Sequence, residues 1–240
     1  MPTEILNLPF DLYTRNKIIS DLIESIREKN KCFKILDVGG RSGYLREFIK
    51  AEDELFILDI RDSDLKEKNY FMGSITNAPF KDGLFDFVVS SDFYEHLSPN
   101  SRLTALSEML RLTKNFIILA APFYSEEVYD AEIKANEFYR KLTDIEHMWL
   151  AEHIANGLPK RDELEKFLQD KGYNFYFIEN NNILNWLLMQ SFIFYTHTNP
   201  ALGIQIGEVF RFYNENFLEL GDSIPPTYRK VYFISKGGII

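Results

Sequence analysis

Asp37 and Asp59 stand about 20 residues apart, each at the end of an apolar run, and three glycines, Gly39, Gly40 and Gly43, follow the first acid. A carboxylate in that position can accept hydrogen bonds from both hydroxyls of a ribose, and a glycine turn lets backbone approach a ligand closely. Together they read as a cradle for a nucleotide-type cofactor. His96 follows a later apolar run in Glu95-His96-Leu97. A histidine titrates near neutrality and can take a proton from a hydroxyl within hydrogen-bond reach. A further pair, His147 and His153, flanks Trp149 in EHMWLAEH. Their separation is not the i, i+4 spacing that puts two metal ligands on one helix face, so no metal is expected.

The elements that must hold these groups alternate. An amphipathic helix is expected over 11–28, with Ile18, Ile19, Leu22, Ile23 and Ile26 on one face. Strands are expected at 33–38, 55–60, 70–72, 85–91 and 116–121. A helix through Tyr44, Leu45, Phe48 and Ile49 should follow the glycine turn and offer its unpaired N–H groups. Ser98 and Pro99 mark the start of another, with Leu103, Leu106 and Leu110 as its buried stripe. Alternating strands and helices imply a parallel sheet with right-handed crossovers.

Beyond Pro122 the pattern turns helical, at 126–142, 145–155, 159–172, 183–195 and 202–220, with a strand at 174–178. Trp186 reads as core. The last strand, 228–235, shows the polar–apolar alternation of an edge, with Tyr228, Arg229 and Lys230 on a solvated side. One domain over 1–240 is the economical reading. Its cofactor half spans about 30–122 and its lid or acceptor insertions about 123–160 and 180–225.

Composition narrows the function. The chain has 240 residues, 45% apolar and 26% charged, with a formal net charge of −9. That balance argues against bulk nucleic-acid binding, which needs a basic footprint. One cysteine, Cys32, excludes an internal disulfide or a thiolate cluster. The longest apolar stretch, 183–195, falls short of the roughly 20 residues that span a membrane. No signal-peptide pattern opens the chain, and a cytoplasmic protein is expected.

The glycine pattern separates cofactor classes. The dinucleotide fingerprint Gly-x-Gly-x-x-Gly fails at Arg41 and Tyr44, and a Walker loop is absent, so NAD and ATP fit poorly. ILDVGGRSG, the LDI that ends the second strand, GSITNAPF and the FDFVVSSDFYEHL segment together resemble the class I S-adenosylmethionine-dependent methyltransferases, in particular their type 11 group. The resemblance covers about 34–122. It implies an α/β, Rossmann-like fold with a mostly parallel seven-stranded sheet, helices on both faces and a helical lid.

Carried over by position, it implies that Asp37, Gly39, Gly40 and Gly43 line the methionine and ribose side. Asp59 and Ile60 would hold the ribose end, Ser74 and Ile75 would border adenine, and Ser91 would sit beside the sulfonium. Two positions depart from the family pattern: Arg41 replaces a glycine, and Ser74 an acid. The expected function is methyl transfer to a small-molecule or glycan-like acceptor, at oxygen, with His96 as base. His147, Trp149 and His153 are expected to touch the acceptor. A catalytically inactive binding module is the alternative, motivated by Arg41 and Ser74, and a protein or nucleic-acid methyltransferase is third. No oligomeric state is implied.

Overall fold

Continuous apolar runs become the inner strands, as expected where both faces of a strand are covered. The computed structural model describes residues 5–62, 68–218 and 220–237. In chain order the elements are α1 (Phe10–Ser25), β1 (Lys34–Val38), β2 (Glu54–Asp59), β3 (Tyr70–Met72), β4 (Phe85–Ser91), α2 (Pro99–Leu112) and β5 (Thr113–Pro122). They continue as α3 (Glu126–Thr143), α4 (Met148–Asn156), α5 (Arg161–Asp170), β6 (Asn174–Asn182), α6 (Ile183–Thr198), α7 (Gly203–Asn216) and β7 (Thr227–Ser235). The strands form a seven-stranded, mostly parallel sheet in the order β3-β2-β1-β4-β5-β7-β6. Strand order therefore reverses at β1 and β4, the point where open α/β sheets bind ligands beyond their carboxyl ends.

Contacts divide the chain into two units. The first comprises Asn16–Ala121, Pro159–Phe177 and Val231–Ile240. Its core holds Ile35, Leu36, Ile57, Phe87, Val88, Ile117 and Leu119, all buried. An aromatic ladder crosses the strands, with ring centroids 5.0 Å apart for Phe33 and Phe87, 5.4 Å for Phe87 and Phe116, and 5.1 Å for Phe116 and Phe233. Below it, Asp53 accepts from the Arg27 guanidinium at 2.6 and 2.9 Å and from Phe33 N–H at 2.8 Å.

Three expectations need correction in and around this unit. The helix expected after the glycine turn is a single 3-10 turn, Tyr44–Glu47. Arg46 donates to the carbonyls of Lys50 and Asp53, fixing the chain in an irregular return to β2 instead of a continuing helix. Leu103 lies on the exposed side of α2, whereas Arg102 turns inward and donates to the carbonyls of Glu95 and Leu97. Burial lowers the Arg102 pKa. The last strand, β7, is not an edge: it lies between β5 and β6, and eight of its nine residues, Tyr228 and Arg229 among them, are buried.

The second unit comprises Met1–Arg15, Pro122–Leu158 and Ile178–Lys230. Phe10, Val128, Ala131, Leu150, Trp186, Phe194, Phe210 and Tyr213 build its core. Trp186 is core, as read, and stacks on Tyr228 with centroids 3.9 Å apart. Arg229 is buried because Asn180 and Asn181 accept from its guanidinium. Asp222 accepts from Asn181 N–H at 3.1 Å and from the Tyr213 hydroxyl, and burial raises its pKa.

Candidate functional site

Parallel pairing brings the cofactor candidates into one row. Val38 is opposite Leu58 on β2 and Ser90 on β4, so the next residues, Gly39, Asp59 and Ser91, come level at the carboxyl ends of three strands. Met72 pairs with Asp59 on the far side, and Ala120 with Ser91. The sheet thus sets a carboxylate, a glycine turn and a hydroxyl side by side.

The glycine turn is shaped by close approach. Gly39 has φ +77° and donates its N–H to Leu58 carbonyl at 2.8 Å, and Gly43 has φ +67° and donates to Gly40 carbonyl at 2.8 Å. A Cβ at Gly39 would lie 2.7 Å from Cγ of Phe93. One at Gly40 would lie 2.8 Å from Oδ1 of Asp37, whose buried carboxylate folds back over the turn. Neither position tolerates a side chain. With only a 3-10 turn behind it, the cradle relies on these backbone conformations rather than on a helix dipole.

Arg41 swings outward: it is exposed, and Nε donates to the Asp62 carbonyl at 2.9 Å. Arg41→Ala is therefore expected to change cofactor affinity by less than about twofold, since an exposed side-chain substitution is worth only about 0.5 kcal/mol or less. Calorimetric titration checks this.

Asp59 is half-buried at the end of β2, where Oδ1 accepts Arg61 N–H at 2.9 Å and its carbonyl accepts Gly73 N–H at 2.8 Å. Ile60 beside it is exposed. Ser74 caps the 3-10 turn Ile75–Asn77, its Oγ accepting Thr76 N–H at 3.3 Å, and Ile75 is buried beneath that turn.

At the end of β4 the hydroxyls of Ser90 and Ser91 are buried with no hydrogen-bond partner among the described residues. Asp92 then takes φ +46°, and Phe93 leads into the 3-10 turn Tyr94–His96. His96 is partly exposed and its N–H bonds Phe93 carbonyl at 3.1 Å. Burial raises the Tyr94 pKa, so that hydroxyl stays protonated. Phe93 and Arg102, which shape the glycine turn and the His96 turn, escaped the sequence reading. Phe93 stands in the segment just past β4 that carries the resemblance, and no sequence pattern marks Arg102.

The acceptor candidates belong to the second unit. Trp149 is exposed at 38%. His147 is the N-cap of α4, its N–H bonded to Asn136 Oδ1 at 2.8 Å and its ring packed on Tyr139 and Phe194. Its Nδ1 is buried without a partner among the described residues. His153 is buried, and its Nδ1 lies 2.8 Å from Oε1 of Glu132 on α3. Glu132 was not singled out from the sequence.

Burial, with the charges of His197 and His153, pushes the His147 pKa down to about 4 from 6.5. Between those values the unfolded chain binds a proton that the folded protein refuses. Stability should therefore fall as pH drops from 6.5 towards 4, by about 1–2 kcal/mol once solvent screening of the partly exposed ring is discounted. Urea unfolding at several pH values should show His147→Phe losing less stability across that window than the wild type.

The donor set suits the expected S-adenosylmethionine. Asp59 and the glycine turn could take its ribose and methionine ends, and the orphaned Ser91 hydroxyl stands at the β4 lip where a polar ligand group would satisfy it. Comparison with known proteins agrees. Residues 36–118 match the model of a family described as "Methyltransferase domain". No curated protein matches the sequence. Among solved structures, the plantazolicin methyltransferase BpumL, in complex with a triazolic desmethylPZN analog and SAH, is 13% identical with a TM-score of 0.59, covering 96% of this chain and 86% of that one. A SAM-dependent methyltransferase from Archaeoglobus fulgidus is 18% identical with a TM-score of 0.53, covering 92% and 94%. The CurJ carbon methyltransferase is 12% identical with a TM-score of 0.55, and this chain, covered to 95%, spans 55% of it. At such identities these likenesses establish the fold.

Proposed function

We propose that this chain is a class I S-adenosylmethionine-dependent methyltransferase and that it moves the methyl group of its cofactor to oxygen on a small-molecule or glycan-like acceptor, a reading supported by the methyltransferase-domain match over residues 36–118. One observation carries the site: Asp59, the positive-φ glycine turn and the Ser91 hydroxyl, without a partner among the described residues, come level where strand order reverses. Asp37, Gly39, Gly40 and Gly43 would hold the methionine end, Asp59 and Ile60 the ribose, Ser74 and Ile75 the adenine side, and Ser91 the sulfonium end. Bound there, the cofactor supplies an activated methyl group. The protein's work is to align the acceptor, exclude water and take up a proton.

The small-molecule reading is supported by the net charge of −9, which disfavours nucleic acid, and by the triazolic desmethylPZN analog in complex with the plantazolicin methyltransferase. The 123–160 and 180–225 insertions, with His147, Trp149 and His153, are proposed as the acceptor side. Methylation at oxygen needs a proton acceptor, for which His96 is the candidate. Among the described residues no helix is long and apolar enough to cross a membrane. The single cysteine accords with action in the reducing cytoplasm.

The test is incubation of the protein with methyl-labelled S-adenosylmethionine and fractionated cell extract. Label in the small-molecule fraction is expected. Label confined to protein or RNA would overturn the acceptor class.

A further inference from the structure

A charge-free band runs through the second unit. From Asn180 to Gly207 the sequence holds no Asp, Glu, Lys or Arg over 28 residues, in a chain that is 26% charged. The run covers all of α6 and the first turn of α7. A helix without charges is ordinarily buried on every side. α6 buries one side, through Ile183, Trp186, Met189 and Phe194. On the other, Leu184 is 76% exposed, Leu188 55% and Tyr195 39%. Spaced at i, i+4 and i+11, they form one stripe, with the half-buried Ser191 at i+7.

The apolar surface extends past both ends of the helix. Ile224 is exposed beside the first turn, where its carbonyl accepts from the side chain of Asn182, the N-cap of α6, at 2.8 Å. At the other end Leu202 and Ile204 are exposed where the chain turns into α7. At roughly 200 Å² for each large apolar residue when fully exposed, these side chains present on the order of 700 Å². The largest apolar patch on an ordinary monomer is about 300–600 Å², and one partner's share of a standard interface is about 800 Å².

Charge selects what covers it. Each copy carries a formal net charge of −9, so two copies repel each other in general. A face that meets itself across a two-fold axis sets charges near the axis against their like, which favours a self-interface where charge is missing. An anionic membrane surface, by contrast, attracts Lys and Arg, and the band has neither. We propose that α6 is the contact through which two copies of this chain form a two-fold dimer. This inference does not depend on the methyl-transfer reading. Two copies of one helix facing across a perpendicular axis run antiparallel. With the axis between Met189 and Gln190, Leu188 of one copy meets Ser191 of the other, and Leu184 meets Tyr195. That spacing is the seam of a coiled coil, in which side chains interlock across the contact. Ser191 leaves room for Leu188, and its hydroxyl already donates to the Leu187 carbonyl at 2.7 Å, so it brings no unpaired donor.

Sedimentation velocity of the full chain over a range of micromolar concentrations tests the proposal. The wild type should sediment as two copies. Leu188→Glu places two carboxylates near the axis and should raise the dimer dissociation constant by about 100-fold or more, with far-UV circular dichroism unchanged. Leu184→Glu and Tyr195→Lys should each weaken the dimer. Combined, they set a carboxylate of one copy opposite an ammonium of the other, and the double variant should recover association. A double variant no tighter than either single one contradicts the antiparallel pairing. A wild type that sediments as one copy overturns the proposal. So does a dimer that Leu188→Glu and Leu184→Glu both leave intact, since the contact would then lie on another face. Binding of a monomeric wild type to phosphatidylcholine vesicles would assign the band to a membrane surface and overturn it as well.

Discussion

Asp59→Ala is expected to weaken S-adenosylmethionine binding on the order of 100-fold. A carboxylate accepting two ribose hydroxyls makes charge-assisted bonds worth about 1.5–3 kcal/mol each, and part of that is returned when water replaces the lost partner. A net loss of about 3 kcal/mol corresponds to that factor. Asp59 also holds the chain locally, since its Oδ1 accepts Arg61 N–H at 2.9 Å. Asp59→Asn separates the two roles. The amide keeps an acceptor for Arg61 and one hydroxyl but loses the charge, so an intermediate loss of about tenfold is expected with the unfolding midpoint unchanged. Calorimetry and urea unfolding on the same preparations check both numbers. Equal losses for Asn and Ala, accompanied by lower stability, would make Asp59 a structural residue.

Gly39→Ala should injure fold and site together. At φ +77° an L-residue costs about 1–2 kcal/mol. The added Cβ, 2.7 Å from Cγ of Phe93, forces that ring aside at about 1–3 kcal/mol more. A loss near 3 kcal/mol is expected in urea unfolding, and displaced Phe93 should carry the His96 turn with it. A paired Phe93→Ala change should restore roughly the clash component but leave the backbone component. If the double variant were as unstable as the single one, the close approach of Phe93 to Gly39 would not be the cause.

The first unit was legible because its signals are local. Buried parallel strands must be apolar throughout, so β1, β2, β4 and β5 stood out within a few residues of their bounds, and β3 matched over 70–72. The glycine turn and Asp59 carried a spacing that only a few ligands use. Expectations failed where a side chain competes with the pattern. Arg46 binds carbonyls that a continuing helix would have used, and the segment stays a 3-10 turn. Arg102 and Leu103 are neighbours on α2, and periodicity favoured the leucine; two carbonyls waiting at Glu95 and Leu97 favour the arginine.

In β7, alternating polar residues suggested water on one side. Asn180 and Asn181, remote in sequence, supply what Arg229 would have sought there. Glu132 shows the limit of such reading. It is one of several acids along α3, beside Glu126, Glu127, Asp130 and Glu137, and only tertiary packing selects it for Tyr228 and His153. The two departures from the family pattern also became intelligible. Arg41 turns out to Asp62, and Ser74 caps its own turn.

Where the cofactor lies is measured most directly by a crystal structure of the full chain with S-adenosylhomocysteine. Its ribose hydroxyls should meet the carboxylate of Asp59, its amino-acid end should cross the Gly39–Gly43 turn, and its sulfur should face the Ser91 hydroxyl. A ligand bound at any other edge of the sheet, or a ribose beyond hydrogen-bond reach of Asp59, would contradict the proposed site.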